Sequence, residues 1–428
     1  MDLLKNIFKG DKVIWIIFLF LCLISVIEVF SAASTLTFKS GDHWGPITQH
    51  TFMLISGTLI VILFHNIPYK WYQVFPVFLL PLSLLLLAFV TVMGVVTGDR
   101  VNGAARWMTF FGIQFQPSEL AKMAVIIAVS FILSKGQNEN GAHPNAFKYI
   151  MWVVGITFLL IAPENLSTGI LLFGVVFLMM YIGRVAAKKL LVLVGIIAAS
   201  VLLLGAVVLA VPNNSDLPFL HRLGTWKNRI VNFTQDDKVP AAKFDTDKDG
   251  QIAHARIAIA TSNVIGKAPG NSVQRDFLSQ AFSDFIFAII IEELGLLGGG
   301  FVVCLYIWLL VRAGRIAKKC NQTFPAFLVM GITLLLVSQA ILNMMVAVGL
   351  FPVTGQPLPL ISKGGTSTWI NCAYIGMVLG ISRYTARLTE EQKRSELPLQ
   401  DQESFETEAI IGAAEPTAEI LNSDTKFE

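Results

Sequence analysis

Hydrophobic residues in this chain come in long runs rather than in the alternating pattern of a half-buried strand. A helix needs roughly 17–25 mostly apolar residues to cross the hydrocarbon core of a bilayer. Ten such runs occur, at about 13–33, 48–66, 72–96, 118–135, 147–163, 168–185, 188–211, 282–312, 324–350 and 365–387. They predict an all-α polytopic membrane protein with ten transmembrane helices. The run from 282 exceeds one perpendicular span, so its first turns are expected to stand in the outer interface or to line a cavity.

Composition excludes an ordinary soluble globule. Of the 428 residues, 54% are hydrophobic and only 14% are charged, whereas soluble domains contain about 25% charged residues. The net charge of +3 does not indicate a nucleic-acid partner, because the basic residues are distributed by membrane side. The four cysteines show neither metal-ligand spacing nor a disulfide framework, and no metal site is predicted.

Lysine and arginine are distributed unevenly between the runs. With the N-terminus inside, the short outer segments hold only Lys39, Arg100, Arg106 and Lys363, and the inside-to-outside ratio is about four to one. Both termini are therefore predicted to be cytoplasmic. Residues 1–387 then form one transmembrane domain, with a large extracytoplasmic loop at about 212–280 between helices seven and eight. The polar remainder, 388–428, is predicted to be a disordered cytoplasmic tail.

The eighth run carries three carboxylates, Asp284, Glu292 and Glu293. An Asp at the centre of a spanning helix costs roughly 2.5–3.5 kcal/mol to insert, so such groups persist mainly where they face a polar cavity or a partner. This run is the default functional site. On an ideal helix Glu292 would turn toward the Asp284 side and Glu293 away from it. The alternative is that all three are structural and are satisfied by neighbouring helices.

Cationic side chains flank the same side of the membrane. Arg106, beside Trp107, lies in an outer loop, where it either pairs with phosphate or anchors the loop at the interface. Lys122 lies one turn into the fourth helix. It either pairs locally with Glu119 at i,i+3 or faces the Asp284 cavity and binds a diphosphate. We favour the second role.

Non-helical backbone is predicted before the tenth helix, in the Pro- and Gly-rich outer segment 351–367. Such backbone at membrane depth needs protein or water around it. The helix that follows begins with N–H groups and hydroxyls that favour anions, and Lys363 adds a charge. These groups belong to Gly364, Gly365, Thr366 and Ser367. Together with the carboxylate, they suit a phosphate-bearing lipid substrate and a general base.

Several longer motifs follow one another along the chain. They are Asn102-Gly-Ala-Ala-Arg106-Trp107, Gln116-Pro-Ser-Glu119-Leu-Ala-Lys122, Pro269-Gly-Asn271-Ser-Val-Gln274, Ser283-Asp284-Phe-Ile-Phe-Ala with Glu292-Glu293-Leu-Gly-Leu, and Pro352-Val-Thr-Gly-Gln-Pro-Leu-Pro-Leu-Ile-Ser362-Lys363-Gly364-Gly365-Thr-Ser. In sequence and order they resemble the SEDS family (shape, elongation, division and sporulation) over about residues 10–387.

The resemblance implies a peptidoglycan glycosyltransferase of the bacterial cytoplasmic membrane. It would polymerise lipid II on the outer face, and its partners would be lipid II, the growing glycan strand, a class B penicillin-binding protein and other divisome membrane proteins. The motifs look more like the family's division member than its elongation member. Septal cell-wall synthesis is therefore expected, and an elongation polymerase is the second choice.

Carried over by motif, Asp284 is the family's essential aspartate and would act as general base in an inverting transfer. The resemblance implies that Arg106, Lys122 and Lys363, with the helix start at 364–367, stabilise the departing diphosphate. Polar support is expected from Glu119, Asn271, Gln274, Glu292 and Asn343. No cofactor is implied with certainty, and assistance by a divalent cation is left open.

The sequence departs from the family at four places. Ala268 stands in Gly266-Lys-Ala-Pro-Gly270 where the family has the second Gly of Gly-x-Gly-Pro-Gly. Phe282 stands where His is common, Lys363 stands where Tyr is frequent, and the loop 163–168 lacks the usual Asp. A partial EF-hand-like stretch at 245–252 has Arg256 where the twelfth position needs a Glu, which favours a solvated turn over a calcium site.

Two other functions stay open, a lipid II flippase and a non-catalytic divisome scaffold. A flippase should place polar residues through the whole depth of the bundle. Here they concentrate toward the outer half, with Glu28, Glu292, Glu293 and Asn343 as the deeper exceptions. This distribution favours the enzyme.

Overall fold

The computed structural model describes residues 9–32, 45–96, 107–110, 113–139, 141–210, 250–278 and 281–396. These residues form eleven α-helices, one short 3₁₀ helix (Gln274–Asp276) and one two-stranded sheet. The elements are α1 (Lys12–Ala32), α2 (Gly45–Asn66), α3 (Tyr69–Tyr72), α4 (Phe75–Val96), β1 (Met108–Phe110), β2 (Ile113–Phe115), α5 (Pro117–Ser134), α6 (Ala146–Ile182), α7 (Ala187–Ala210), α8 (Gly250–Ala260), α9 (Ile286–Lys318), α10 (Thr323–Ala347) and α11 (Thr366–Glu396). The strands are antiparallel, with Met108 opposite Phe115.

Length and composition identify seven helical segments in this described part as able to cross a membrane. They are Lys12–Ala32, Ile47–Asn66, Tyr69–Gly94, Pro117–Ser134, Ala146–Ile182, Ile286–Lys318 and Thr323–Ala347. The prediction of a polytopic helical membrane protein is thereby confirmed. Arg106, the 212–249 part of the predicted outer loop with most of the EF-hand-like stretch, and the tail from 397 lie outside the described residues.

Helix α6 folds back on itself where the sequence predicts two spans. Asn165 has non-helical dihedral angles (φ −150°, ψ 81°) inside the helix. The rings of Phe158 and Phe173 lie 6.3 Å apart, although residues at this spacing would be about 22 Å apart along a straight helix. The two ends also meet, since the Ala142 amide donates to the Arg184 carbonyl at 3.4 Å. The helix therefore consists of two antiparallel arms joined at Asn165.

The hydrophobic run from 282 predicted neither the first residue of helix α9 nor the break inside it. The helix begins at Ile286, so Asp284 precedes the helix instead of occupying its first turn. It breaks at Gly295, whose dihedral angles (φ 74°, ψ −176°) only glycine adopts readily. The residues before Gly295 therefore form a short helical arm that is set off from the rest of the helix.

Glycines allow α2 and α11 to pack closely. A Cβ on Gly376 would lie 2.7 Å from the Val61 carbonyl oxygen, and one on Gly57 would lie 2.7 Å from the Cys372 sulfur. Small residues permit such contacts between membrane helices. Helix α11 continues to Glu396, although composition predicted disorder from 388. Extending an existing helix needs no new nucleus, and Glu, Gln, Lys and Arg are good helix formers.

Contacts define two ends of the bundle. At the first, Asp11 Oδ2 accepts a hydrogen bond from Arg312 Nε at 2.6 Å, and the Asp11 amide donates to Ser382 Oγ at 2.9 Å. We call this the Asp11 end. The opposite end, where α1 finishes and α9 and α11 begin, is the Asp284 end.

Candidate active site

Asp284 lies in a non-helical segment, 281–285, immediately before α9. Its side chain is half-buried, and Ser283 Oγ donates to Asp284 Oδ1 at 3.0 Å. The carbonyl of Asp284 accepts a hydrogen bond from Asn343 Nδ2 at 2.9 Å. Asp284 therefore lies beside a helix start at one end of the bundle, with hydroxyl and amide side chains as neighbours.

The second half of the loop between α10 and α11, residues 354–362, forms one wall of this site and is largely buried. Its residues Leu358, Leu360 and Ile361 are almost inaccessible to solvent. Side chains of the surrounding helices donate to its carbonyl groups, as expected for non-helical backbone inside a membrane protein. The donors are Gln339 to Pro357 at 3.1 Å, Asn343 to Gln356 at 2.8 Å, Ser25 to Ile361 at 2.7 Å, and Tyr306 to Pro359.

Lys363 and Phe282, two departures from the family pattern, contact each other. The Lys363 ammonium lies 5.8 Å from the centroid of the Phe282 ring, and the Lys363 amide donates to the Phe282 carbonyl at 3.0 Å. Burial lowers the pKa of Lys363 from its ordinary value. The contact is a cation–π interaction. It holds the half-buried Lys363 cation against Phe282, which precedes Asp284 by two residues.

The predicted anion-binding helix start is closely packed in this conformation. Thr366 Oγ1 donates to the Gln114 carbonyl at 3.1 Å, and Ser367 Oγ donates to the Gly364 carbonyl at 2.8 Å. Gly365 has φ 57°, and a Cβ there would lie 3.3 Å from the Gln114 oxygen. These contacts dock the β1–β2 hairpin against the start of α11, and both hydroxyls are engaged within the protein.

Lys122 is completely buried. Its ammonium lies 2.8 Å from Glu119 Oε1 and donates to Gln339 Oε1 at 3.0 Å. The local i,i+3 pair considered from the sequence is therefore present. Since Gln339 also donates to Pro357, Lys122 is joined to the loop before α11 through one amide side chain.

Glu292 and Glu293 bind the segment 266–275, which contains the Pro-Gly-Asn-Ser motif. Glu292 accepts hydrogen bonds from Lys267 Nζ at 2.6 Å and from Ser272 Oγ. Glu293 accepts from the amides of Gly270 at 3.0 Å and Ser272 at 3.1 Å. On an ideal helix Glu292 was expected to turn toward the Asp284 side and Glu293 away from it. Both carboxylates instead bind this one segment, which wraps across the end of the first arm of α9.

The other predicted supporting residues divide between the two regions. Asn271 Nδ2 donates to the Lys267 carbonyl at 2.9 Å, and Gln274 Oε1 lies 2.7 Å from His254 Nδ1, so both belong to the 266–275 region. Asn343 belongs to the Asp284 region.

Sequence reasoning missed Gln339, Gln356 and Ser362. Gln356 Nε2 donates to Thr168 Oγ1 at 2.6 Å, which ties the loop to the bend of α6. Gln339 was detectable, because it lies one turn before Asn343 in a mostly apolar helix and therefore shares its face. No group of three or more His, Cys, Asp or Glu side chains in the described segments could hold a metal ion.

The fold and site define a polytopic helical membrane protein with a carboxylate at one end, next to a buried, hydrogen-bonded loop. The family described as Cell cycle protein (FTSW_RODA_SPOVE) matches residues 11–387. The chain belongs to this family.

Similar proteins and structures agree with this membership. The chain is 31% identical to the probable peptidoglycan glycosyltransferase FtsW of Geobacter metallireducens over 89% of this chain and 96% of that protein. It is 31% identical to the protein of the same name from Halomonas elongata, over 87% and 90%.

Two solved structures share the fold. A chain of a structure described as "Structural coordination of polymerization and crosslinking by a peptidoglycan synthase complex" has a TM-score of 0.68 and 24% identity, covering 88% of this chain and 99% of that one. The rod shape determining protein RodA of Thermus thermophilus has a TM-score of 0.60 and 22% identity, covering 88% and 98%.

Proposed function

We propose that this chain is a peptidoglycan glycosyltransferase that polymerises lipid II into glycan strands on the outer face of the bacterial cytoplasmic membrane. Membership of the FtsW/RodA/SpoVE family and the match to relatives called peptidoglycan glycosyltransferase FtsW support this function. The same relatives favour septal synthesis over elongation. The observation that carries the proposal is Asp284, a half-buried carboxylate at the end of the bundle, two residues after Phe282, whose ring and carbonyl contact Lys363.

The proposed topology has ten spans with both termini in the cytoplasm. The two arms of α6 count as two spans, and α7 and α11 add to the seven segments. The Asp11 end then faces the cytoplasm and the Asp284 end faces outward. This orientation agrees with the bias of lysine and arginine toward the Asp11 side of the short loops.

In the proposed reaction, Asp284 accepts the proton of the acceptor sugar's C4 hydroxyl. The oxygen attacks the anomeric carbon of the donor, the bond to undecaprenyl diphosphate breaks, and the configuration inverts. General base catalysis contributes typically about 10²–10⁴-fold. Lys363 and Arg106 would stabilise the leaving diphosphate electrostatically. Lys122 would join them only if the diphosphate displaced Gln339 or Glu119.

The proposed partner is a class B penicillin-binding protein, and the likeness to a chain from a peptidoglycan synthase complex supports that choice. The flippase alternative receives less support. Of the deeper polar residues, Glu292 and Glu293 bind the 266–275 segment and Asn343 binds the Asp284 segment. Among the four named from the sequence, only Glu28 in α1 has no hydrogen bond to either segment in the described part of the chain.

The test is polymerisation of lipid II by the purified protein, with and without its class B penicillin-binding protein, for native Asp284 and for Asp284→Asn. We expect glycan chains from the native protein and none from the variant, because an amide cannot accept the proton. Asp276→Asn is the matched control, since Asp276 is 54% exposed in the 3₁₀ turn after the Pro-Gly-Asn-Ser motif. Polymerisation by Asp284→Asn would remove the base assignment.

A further inference from the structure

Three successive carbonyl groups hold the Asp284 segment in place. The Phe282 carbonyl accepts from the Lys363 amide at 3.0 Å, the Ser283 carbonyl accepts from Ser362 Oγ at 2.7 Å, and the Asp284 carbonyl accepts from Asn343 Nδ2 at 2.9 Å. The first two donors belong to the loop before α11, and the third belongs to α10. A non-helical segment is thus held at the three carbonyls of residues 282–284.

Asn343 donates a hydrogen bond to the Asp284 carbonyl and a second one to a carbonyl of the loop before α11. Its Nδ2 also donates to the Gln356 carbonyl at 2.8 Å, so one amide group joins the Asp284 segment to the loop that carries Lys363. The side chain is only 1% exposed. Its orientation is fixed by chemistry, because the opposite flip would set Oδ1 against two carbonyl oxygens. Within the described part of the chain Oδ1 has no partner, so donation alone explains the placement of this residue.

We infer that Asn343 is a positioning residue that sets the Asp284 carboxylate relative to the loop carrying Lys363, by donating to one carbonyl of each segment. The inference rests on the proposed function and adds to it a residue that touches neither substrate nor reacting atoms. The inference assigns substrate binding and positioning of the base to different residues. Lys363 and its neighbours would bind the donor's diphosphate, and Asn343 would hold the base at the distance the acceptor hydroxyl requires.

The physical expectation follows from that separation. A general base must be within hydrogen-bond reach of the proton it removes. Loss of the Asn343 amide would leave two buried carbonyls without their donor, and the Asp284 segment would shift to recover hydrogen bonds. A misplacement of about 1 Å is enough to slow catalysis by about 10²-fold. The loop with Lys363 keeps its donors from Ser25, Tyr306 and Gln339. The diphosphate-binding groups should therefore stay in place, and the KM for lipid II should change little.

The experiment measures kcat and the KM for lipid II with the full chain purified together with its transpeptidase partner. Asn343→Leu keeps the approximate shape and removes the donor, and we expect kcat to fall by roughly 10- to 100-fold with KM within about twofold. Asn343→Gln keeps the amide and should recover part of the lost turnover. Thr333→Val is the matched control, because Thr333 is a fully buried polar residue of α10 whose hydroxyl donates to Val329 within the same helix.

Ser362→Ala is an independent variant that tests the neighbouring tie. It removes the donor to the Ser283 carbonyl and leaves Asn343 intact, so the same split between kcat and KM is expected with a smaller loss. If Asn343→Leu yields no folded protein, Ser362→Ala and Asn343→Gln decide the question. The inference would be overturned if Ser362→Ala and Asn343→Gln both kept the native kcat. It would also be overturned if Thr333→Val lowered kcat as much as the Asn343 variants do.

The two proposals fail in distinguishable ways. If Asp284→Asn is inactive and Asn343→Leu turns over like the native protein, only the positioning role is lost. If Asp284→Asn retains turnover, the base assignment fails and the positioning role fails with it. A loss of turnover in Asn343→Leu that comes entirely from a raised KM would assign Asn343 to substrate binding instead and would also overturn the inference.

Discussion

At the scale of single residues, the buried cation Lys122 occurs together with its counter-charge, Glu119. Lys122 and Glu119 are both almost fully buried, and the ammonium has two oxygen acceptors, Glu119 Oε1 and Gln339 Oε1. Removing one partner of a buried pair leaves an uncompensated charge, which costs about 3–5 kcal/mol. A loss of activity after changing Lys122 alone would therefore not distinguish diphosphate binding from structural support.

A double variant separates these two roles. Lys122→Met should lower both the thermal stability and the turnover of the purified protein, because Glu119 is left unpaired. Lys122→Met combined with Glu119→Gln removes both charges and should restore much of the stability. We expect turnover with lipid II to stay low in the double variant, since the cation itself is gone. Turnover that recovers along with the midpoint of thermal unfolding would make Lys122 a structural residue only.

At the scale of elements, the break in helix α9 removes backbone hydrogen bonds within the helix, and residues 263–268 supply replacements. In a continuous helix, the carbonyls of Glu292 and Glu293 would accept from the amides of residues 296 and 297. Here they accept from the amides of Lys267 at 3.0 Å and Ala268 at 2.9 Å. The amides of residues 296 and 297 donate instead to the carbonyls of residues 263 and 264, at 3.3 Å and 3.2 Å. The break and the 266–275 segment therefore form one unit.

Glycine is required where the backbones of this unit meet. A Cβ on Gly295 would lie 2.2 Å from the Val264 carbonyl oxygen, and Gly295 has φ 74°. Gly295→Ala should therefore lower stability by about 1–3 kcal/mol from backbone strain alone, and further through the steric contact. Gly300→Ala is the matched control in the same helix, with no atom within 4 Å of its Cβ. It should leave stability unchanged or raise it by about 0.5–1 kcal/mol. Thermal unfolding of the two variants in detergent makes the comparison, and equal midpoints would contradict the close approach.

Hydrophobic run length predicts elements such as α1 and α10 within a few residues, because the bilayer fixes the length of a span. The same rule missed the break at Gly295, since the run 282–312 is apolar on both sides of it. The break depends on the separate segment 263–268, which exchanges backbone hydrogen bonds with the helix there. Asp284 was found as an isolated charge in an apolar run. The ties at residues 282–284 were not found, because they depend on how the loop before α11 folds and not on local pattern.

At the scale of the whole molecule, the function requires a definite orientation. Lipid II polymerisation on the outer face needs the Asp284 end to face outward, so the 266–275 segment must be accessible from outside and the end of α11 from inside. Val273 is 54% exposed in that segment, and Lys393 is exposed near the end of α11. The two positions therefore report on opposite ends of the bundle.

Single cysteines at these positions test the orientation. The four native cysteines, all free thiols, are first replaced, and Val273→Cys or Lys393→Cys is then introduced. In spheroplasts, a membrane-impermeant maleimide should label Val273→Cys and leave Lys393→Cys unlabelled over the same time, because only the outer thiol is in contact with the reagent. Permeabilised membranes provide the control, in which both positions should react. The reverse pattern would place Asp284 on the cytoplasmic side, away from the nascent wall, and would exclude the proposed polymerase while leaving the fold as described.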